Sequence, residues 1–332
     1  MAIDNTIYTK KYHDNDLSQF TFLVTGGAGF IGSNLVEYLL VHGAKKVVVF
    51  DNLSNGYQEN VDLFKDYKNY QFIKGDLTDF TAVSKALKGV DYVFHQAALG
   101  SVPRSIENPI ATHNANATGT LNLFTAAKDA SIKKLVFASS SSVYGSSQKS
   151  PKIEEEIGDP LSPYAVSKRT KELYAKVFSD LYGLPVVGLR YFNIFGPRQN
   201  PNNPYAAAIP LFINALLNNQ SPKIFGDGLQ SRDFTFVENA VQANIKAVFS
   251  GDFTNGKIYN IAYGQNISVI ELIEKIKSIL NSNLQPEYLP ERIGDVRNSL
   301  AAVNKAKNDF GYEPSVDLET GLKHTINWLK NN

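Results

Sequence analysis

Tyr164 and Lys168 stand four residues apart in the stretch "SPYAVSK" (162–168). On a helix that spacing puts phenol and amine on one face, a turn apart. Pro163 suits a first helical turn, where its missing N–H costs nothing. The run that follows, "YAVSKRTKELYAKVF", has helical periodicity. A phenol with a pKa of ~10 is a poor base near neutrality. An ammonium about 6 Å away, at an effective dielectric of about 20, favours the phenolate by roughly 2–3 kcal/mol, or about two pKa units. Such a phenolate could take a proton from a sugar hydroxyl while hydride leaves the same carbon. The preceding strand end, "SSSSVYG" (139–145), supplies hydroxyls to hold that oxygen. In a chain with 17 Tyr and 33 Lys plus Arg the spacing also arises by chance, as at Tyr70 and Lys74 in a strand-like segment. Taken alone, a serine-rich turn beside an exposed helix pair would look the same.

A hydride needs an acceptor, and the chain offers a place for one. The strand-like "FTFLVT" (20–25) runs into "TGGAGFIGSN" (25–34), where Gly26, Gly29 and Gly32 have the spacing G-x-x-G-x-x-G. Gly26 permits a tight turn, Gly29 lets a pyrophosphate approach the backbone, and Gly32 lets the helix pack close to the sheet. Asp51 ends the next strand, where an acid binds the adenosine ribose hydroxyls. Its carboxylate favours NAD over NADP, because it repels a 2′-phosphate. Asp76-Leu77 and Ala97-Ala98 fall at the carboxyl ends of the third and fourth strands, where an open α/β sheet binds its ligand. A tight turn plus a surface aspartate is the plainer reading of the same residues.

These groups need a scaffold, and the hydrophobic pattern supplies one. "KVVVF" (46–50), "YQFI" (70–73), "DYVFH" (91–95), "KLVFAS" (134–139) and "VVGLR" (186–190) read as further strands. Helical stretches such as 32–41 and 119–130 lie between them. The alternation predicts an α/β fold, a Rossmann-type doubly wound parallel sheet covered on both faces. After Arg190 the rhythm changes, with Pro, Asn and Gly clustered at 196–204 and loop-like composition at 219–231. Helices are predicted at 270–280 and near 317–330. The expected division is a nucleotide-binding domain of 1–192 plus about 233–262, and a smaller C-terminal lobe of 193–232 plus about 263–332.

Composition narrows the function classes. A formal charge of +1 gives no electrostatic case for nucleic acid or an anionic membrane. No apolar run is long enough to span a bilayer, and the polar first 20 residues lack a signal-peptide core. The absence of cysteine excludes disulfides and thiolate metal sites, and fits a cytoplasmic location. The five histidines form no metal-type cluster; His95 is expected to pack at a strand end. Two glycosylation-type triplets, at Asn116 and Asn266, read as coincidence.

The glycine turn, the serine-rich strand end, Tyr164 and Lys168, "RYFNIFGPRQ" (190–199), "SRDFTFV" (231–237) and "ERIGDVRNS" (291–299) follow one another as in the extended short-chain dehydrogenase/reductases. The chain resembles that family over nearly its whole length, and within it the nucleotide-sugar epimerases. "HQAALGSVPRS" (95–105) looks like the group acting on UDP-N-acetylglucosamine. The resemblance implies an NAD-dependent isomerase that oxidises and re-reduces C4 of a UDP-sugar. Tyr164 would be the base and Lys168 its electrostatic partner, with Ser140 and Ser141 on the reacting oxygen. Gly26, Gly29, Phe30, Ile31, Gly32, Asp51, Asn52, Asp76, Leu77, Ala97, Ala98 and Tyr191 would surround NAD together with Tyr164 and Lys168. Asn193, Arg232 and Arg292 would face the diphosphate and Asp295 the uridine ribose, with Ser101 and Gln199 near the sugar. Read from the residues alone, the arginines could equally be solvated surface charges. The family's common homodimer would use helices near 107–129 and 162–180 in a four-helix bundle. Glu238 departs from the family's usual Asp, a conservative change.

Rival readings differ in particular residues. A 4,6-dehydratase of this family needs an Asp-Glu pair where Ser141 and Ser142 stand, and the same absence counts against a decarboxylase. A UDP-glucuronate 4-epimerase shares "SSSSVYG" but not "ALGSVPRS". An NAD-binding sensor would tend to lose the Tyr/Lys pair. The resemblance also puts Ser299 in the sugar pocket, where a small residue goes with 2-acetamido sugars. The alternative is that Ser299 opens a strand-like "SLAAV" and faces solvent.

Overall fold

The computed structural model describes residues 6–202, 207–291 and 297–331. Six strands form where the β-branched runs predict them: β1 Thr21–Thr25, β2 Lys46–Asp51, β3 Tyr70–Lys74, β4 Tyr92–His95, β5 Lys134–Ser140 and β6 Val186–Tyr191. A seventh, β7 Ile258–Ile261, pairs with β6 late in the chain. The strand order is β7-β6-β5-β4-β1-β2-β3, and every pairing is parallel. This is the doubly wound arrangement, with its switch point between β1 and β4.

Parallel strands must be covered on both faces, and successive side chains point opposite ways. Phe22, Val24, Val47, Val49, Val136 and Leu189 enter one apolar core. Their neighbours Leu23, Val48, Phe50, Leu135 and Phe137 enter the other. Helices α1 Phe30–Val41, α2 Gly119–Asp129 and α3 Pro163–Tyr182 alternate with the strands. The first starts two residues earlier than its periodicity predicts, because Gly29 is already its N-cap.

Beyond β6 lie α4 Ala208–Leu217, α5 Val237–Val248, α6 Val269–Leu280 and α7 Leu318–Asn331. Helix α5 packs back on α1 and the sheet, whereas α4, α6 and α7 pack on one another. Three short strand pairs hold the intervening loops, among them Ser231–Arg232 against Ile267–Ser268. Asp233, wholly buried, accepts backbone N–H groups from Tyr263, Gly264 and Ala301 and so ties three of these segments together. No helix among the described residues is long and apolar enough to cross a membrane.

Candidate active site

Residues from both parts of the chain line one cleft of about 450 Å³ along the carboxyl ends of the strands. The glycine turn forms its floor at β1. Gly26 has φ +71°, and a Cβ there would lie 2.5 Å from the Ala97 nitrogen. A Cβ on Gly32 would lie 2.1 Å from the Gly26 carbonyl, so the close approach of helix to turn requires both glycines. Gly29 caps α1 without a side-chain hydrogen bond, which leaves helix N–H groups facing the cleft for an anion. Asp51 accepts from the Ala28 nitrogen at 3.0 Å and the Leu53 nitrogen at 2.8 Å, so its carboxylate is fixed beside the turn. Burial pushes its pKa up, against those hydrogen bonds. Asn52 donates to Asp76 at 2.7 Å, and Thr78 holds the other Asp76 oxygen. Phe30, Ile31, Leu77, Ala97, Ala98 and Tyr191 complete the walls. A dinucleotide fits this arrangement: open N–H groups for its phosphates, and an acid at ribose distance along the next strand.

Helix α3 brings the Tyr/Lys pair to the middle of the cleft. Ser162 caps it, accepting from the Ala165 nitrogen at 3.1 Å, and Pro163 occupies the first turn. Lys168 Nζ lies 5.6 Å from the Tyr164 ring centre and donates to the Ala138 carbonyl at 2.9 Å. The Ser140 hydroxyl hydrogen-bonds the Tyr164 phenol and also accepts from the Ser142 nitrogen at 3.1 Å.

The electrostatics depart from the expectation in one respect. Burial pushes the Tyr164 pKa up, and the Ser140 hydrogen bond offsets only part of that. Lys168 is itself pushed down to about 8 by burial, with Glu172 acting in the opposite sense. Lys168 is not among the groups that lower the phenol, so the expected depression by the lysine is not found in the protein alone. Desolvation penalises both charged forms, an effect that helical spacing does not reveal.

The other expected residues fall into four groups. Ser101, Asn193 and Gln199 line the cleft. Arg232 lines a second cleft of about 280 Å³, which shares Asn193, Ile194 and Ala207 with the first. Ser141 and Ser299 line neither cleft; Ser299 is buried, with its nitrogen on the Ser231 carbonyl at 3.1 Å. Arg292 and Asp295 lie outside the described residues. Sequence reasoning passed over Asn55, Gln96, Arg104 and Arg198, which also line the first cleft. Arg198 stands inside the quoted "FGPRQ" and is ion-paired with Glu37 of α1 beneath the cleft. The buried unpartnered Oε1 of Gln199 and Nη1 of Arg198 lie in this wall as well. His95 packs as expected, wholly buried between Thr25 and Thr120. Among the described residues no group of three His, Cys, Asp or Glu could hold a metal.

A glycine turn under a parallel sheet, with a tyrosine–lysine pair across the same cleft, defines a dinucleotide-dependent oxidoreductase-type site. Residues 22–262 match the model of the NAD dependent epimerase/dehydratase family, and the chain belongs to that family. NAD is accordingly its cofactor. A solved structure of UDP-N-acetylglucosamine 4-epimerase from Methanobrevibacter ruminantium, in complex with UDP-N-acetylmuramic acid, superposes with a TM-score of 0.89. It is 44% identical and covers 94% of this chain and 98% of its own. A putative UDP-glucose 4-epimerase of Methanocaldococcus jannaschii is 39% identical, covering 93% of this chain and 98% of its own. The UDP-glucuronate 4-epimerase of Thermodesulfobacterium geofontis is 37% identical, over 94% and 96%.

Proposed function

We propose that this protein is a UDP-sugar 4-epimerase that interconverts UDP-N-acetylglucosamine and UDP-N-acetylgalactosamine through a 4-keto sugar. The observation that carries the reading is that Tyr164, Ser140 and Lys168 line the same cleft as the glycine turn, a cleft that shares Asn193, Ile194 and Ala207 with the one Arg232 lines. A substrate anchored by its nucleotide near Arg232 would present its sugar to that trio. The 44% identity to the M. ruminantium enzyme supports the acetylated substrate. NAD, which Gly26, Gly29, Gly32 and Asp51 would hold, would supply the hydride acceptor and donor for C4 of the sugar. Tyr164 receives the 4-hydroxyl proton and gives it back. Ser140 orients the reacting oxygen, and Lys168 balances the phenolate charge. Arg232 and Asn193 hold the diphosphate while the sugar turns over. The reading divides the chain into an NAD-binding domain of 1–192 plus about 233–262 and a lobe of the remaining residues. It also makes the protein a homodimer, in which the exposed apolar residues of α3 face a second copy. The absence of cysteine suits a cytoplasmic enzyme.

Incubation with UDP-GlcNAc and no added cofactor should yield UDP-GalNAc on chromatography, and NAD should appear in the supernatant of denatured protein. A strict need for stoichiometric added NADPH would overturn the reading. Substrate choice has its own test. Ser299→Tyr should suppress turnover of UDP-GlcNAc while sparing UDP-Glc, since overfilling a snug site costs roughly 1–3 kcal/mol. Equal loss on both substrates, or none on either, would remove Ser299 from the sugar pocket.

A further inference from the structure

Lys171 lies three residues beyond Lys168 on α3 and is wholly buried, yet the chemistry above does not use it. Its Nζ is 3.2 Å from His95 Nε2 and 3.3 Å from the Ala97 carbonyl. Two hydroxyls fix the His95 tautomer. Thr25 Oγ1 lies 2.7 Å from Nδ1, its one recorded partner among the described residues, so Thr25 donates and Nδ1 is bare. Thr120 Oγ1 donates to the Asn116 carbonyl at 2.5 Å, so across its 2.8 Å contact with Nε2 it accepts. Both put the ring's single hydrogen on Nε2. Nε2 donates that hydrogen to Thr120 and so has no lone pair to offer Lys171. An ammonium there would set N–H against N–H and have one carbonyl for three hydrogens. A neutral amine keeps a hydrogen for Ala97 and sets no charge against the ring.

The surroundings agree. From its own helix Lys171 faces the cation Lys168. The next residue, Glu172, is engaged by Ser139, Arg169 and Arg190. From β4 the neutral His95 faces it, itself in contact with the uncharged Thr120 at the start of α2. Glu107 and His113, on the short helices packed against α3, are exposed. Arg190 on β6 is taken by Glu172. Burial, and then the charge of Lys168, hold Lys171 well below the ordinary amine range.

We infer that Lys171 is a positioning residue: kept as a neutral amine by His95, it braces Ala97 in the cofactor wall and leaves Lys168 as the cation that serves Tyr164. The inference rests on the Tyr164–Lys168 assignment above. Acid would charge Lys171 and set a second positive charge behind the wall that holds the positive NAD⁺ ring. The cofactor should then be released faster. The test follows NAD release from the holoprotein during dialysis at pH 8 and pH 5.5, in the wild type and in Lys171→Met. Like charges about 10 Å apart at an effective dielectric of about 20 correspond to roughly a tenfold effect. Wild-type release should therefore speed up between the two pH values by about tenfold more than release from Lys171→Met. Asp51 and the other acids titrate alike in both proteins, so the difference isolates Lys171. Equal acceleration in the two proteins would overturn the inference. A second measurement needs no variant: ¹⁵N chemical shifts of the His95 imidazole in the wild type should report a neutral ring protonated on Nε2 at pH 7. A ring protonated on Nδ1, or on both nitrogens, would overturn it. Neither readout depends on which sugar is turned over, so failure of the substrate assignment would be seen separately.

Discussion

At the scale of single residues, function rests on where one proton resides. Tyr164→Phe removes the acceptor but keeps the ring, so turnover should fall by about 10²–10⁴-fold while NAD stays bound. Retention of more than about a tenth of the wild-type rate would show that another group is the base. If each charge depends on the other, Tyr164 and Lys168 titrate as a unit. Lys168 is held near 8, and the buried phenol is pushed above its ordinary value, so the first proton leaves the pair near pH 8. The reactive arrangement, phenolate beside ammonium, is a fixed share of that singly deprotonated state. The rate should thus rise with pH and level off at about 8, or lower once the positive nicotinamide ring favours proton loss. Lys168→Met should move the break upward, toward the phenol's own value. A profile that is flat from pH 6 upward in Lys168→Met would contradict this coupling.

At the scale of elements, the question is what holds α3 so that its first turn meets the cleft. Glu172, two turns beyond Tyr164, receives Arg190 Nε at 2.8 Å and Nη2 at 2.9 Å, with Ser139 on the first oxygen at 2.7 Å. Both ion-pair partners are at most 2% exposed. This fork joins α3 to β6 and β5, the strands that carry Tyr191 and Ser140 to the cleft. Burial alone would raise the Glu172 pKa, but the hydrogen bonds and charge of Arg190, with the hydrogen bonds of Ser139 and Arg169, together outweigh it and keep the carboxylate charged. Glu172→Ala strands a buried guanidinium and should cost ~3–5 kcal/mol in a urea unfolding titration. The Glu172→Met/Arg190→Met double variant should recover much of that loss, since well-packed apolar pairs can replace buried ion pairs. Additive losses would mean that the two side chains act separately. Little of this fork was legible in the sequence. The six strands of the first 191 residues were, to within about a residue at each end, because buried parallel strands leave continuous β-branched runs. Tyr70 and Lys74, at the same spacing as the functional pair, fall in β3, so pattern and not spacing separated the two. Strand β7 was not singled out: it is four residues long, among turns and polar residues. The Lys171–His95 contact joins positions 76 apart, and the sign of the Tyr164 shift depends on burial. Neither leaves a mark on local periodicity.

At the scale of the whole molecule, one group of exposed apolar residues stands out because it shares a single helix face. Val166, Leu173, Val177 and Leu181 are exposed along α3, and Ile106 and Ile110 are exposed on the two short helices packed beside it. On α3 these positions recur at intervals of seven, four and four residues, which is one stripe of a helix. They lie opposite the buried Lys168, Lys171, Ala175 and Phe178. A helix with one face in the core and an apolar stripe outward still lacks a partner on that stripe. A second copy supplies one: two helical elements from each protomer, related by a two-fold axis, cover both stripes at once. Sedimentation velocity should accordingly give a dimer in the micromolar range. Leu173→Glu combined with Leu181→Glu places two carboxylates per protomer in that interface and should shift the protein to monomer. The stripe runs on the outward face of the helix whose inward face carries Tyr164 and Lys168. The monomeric variant should therefore unfold at lower denaturant and lose turnover by a modest factor, far less than Tyr164→Phe, because the chemistry is complete within one chain. A double variant that remains dimeric would place the interface elsewhere, and a monomeric wild type would leave the stripe uncovered.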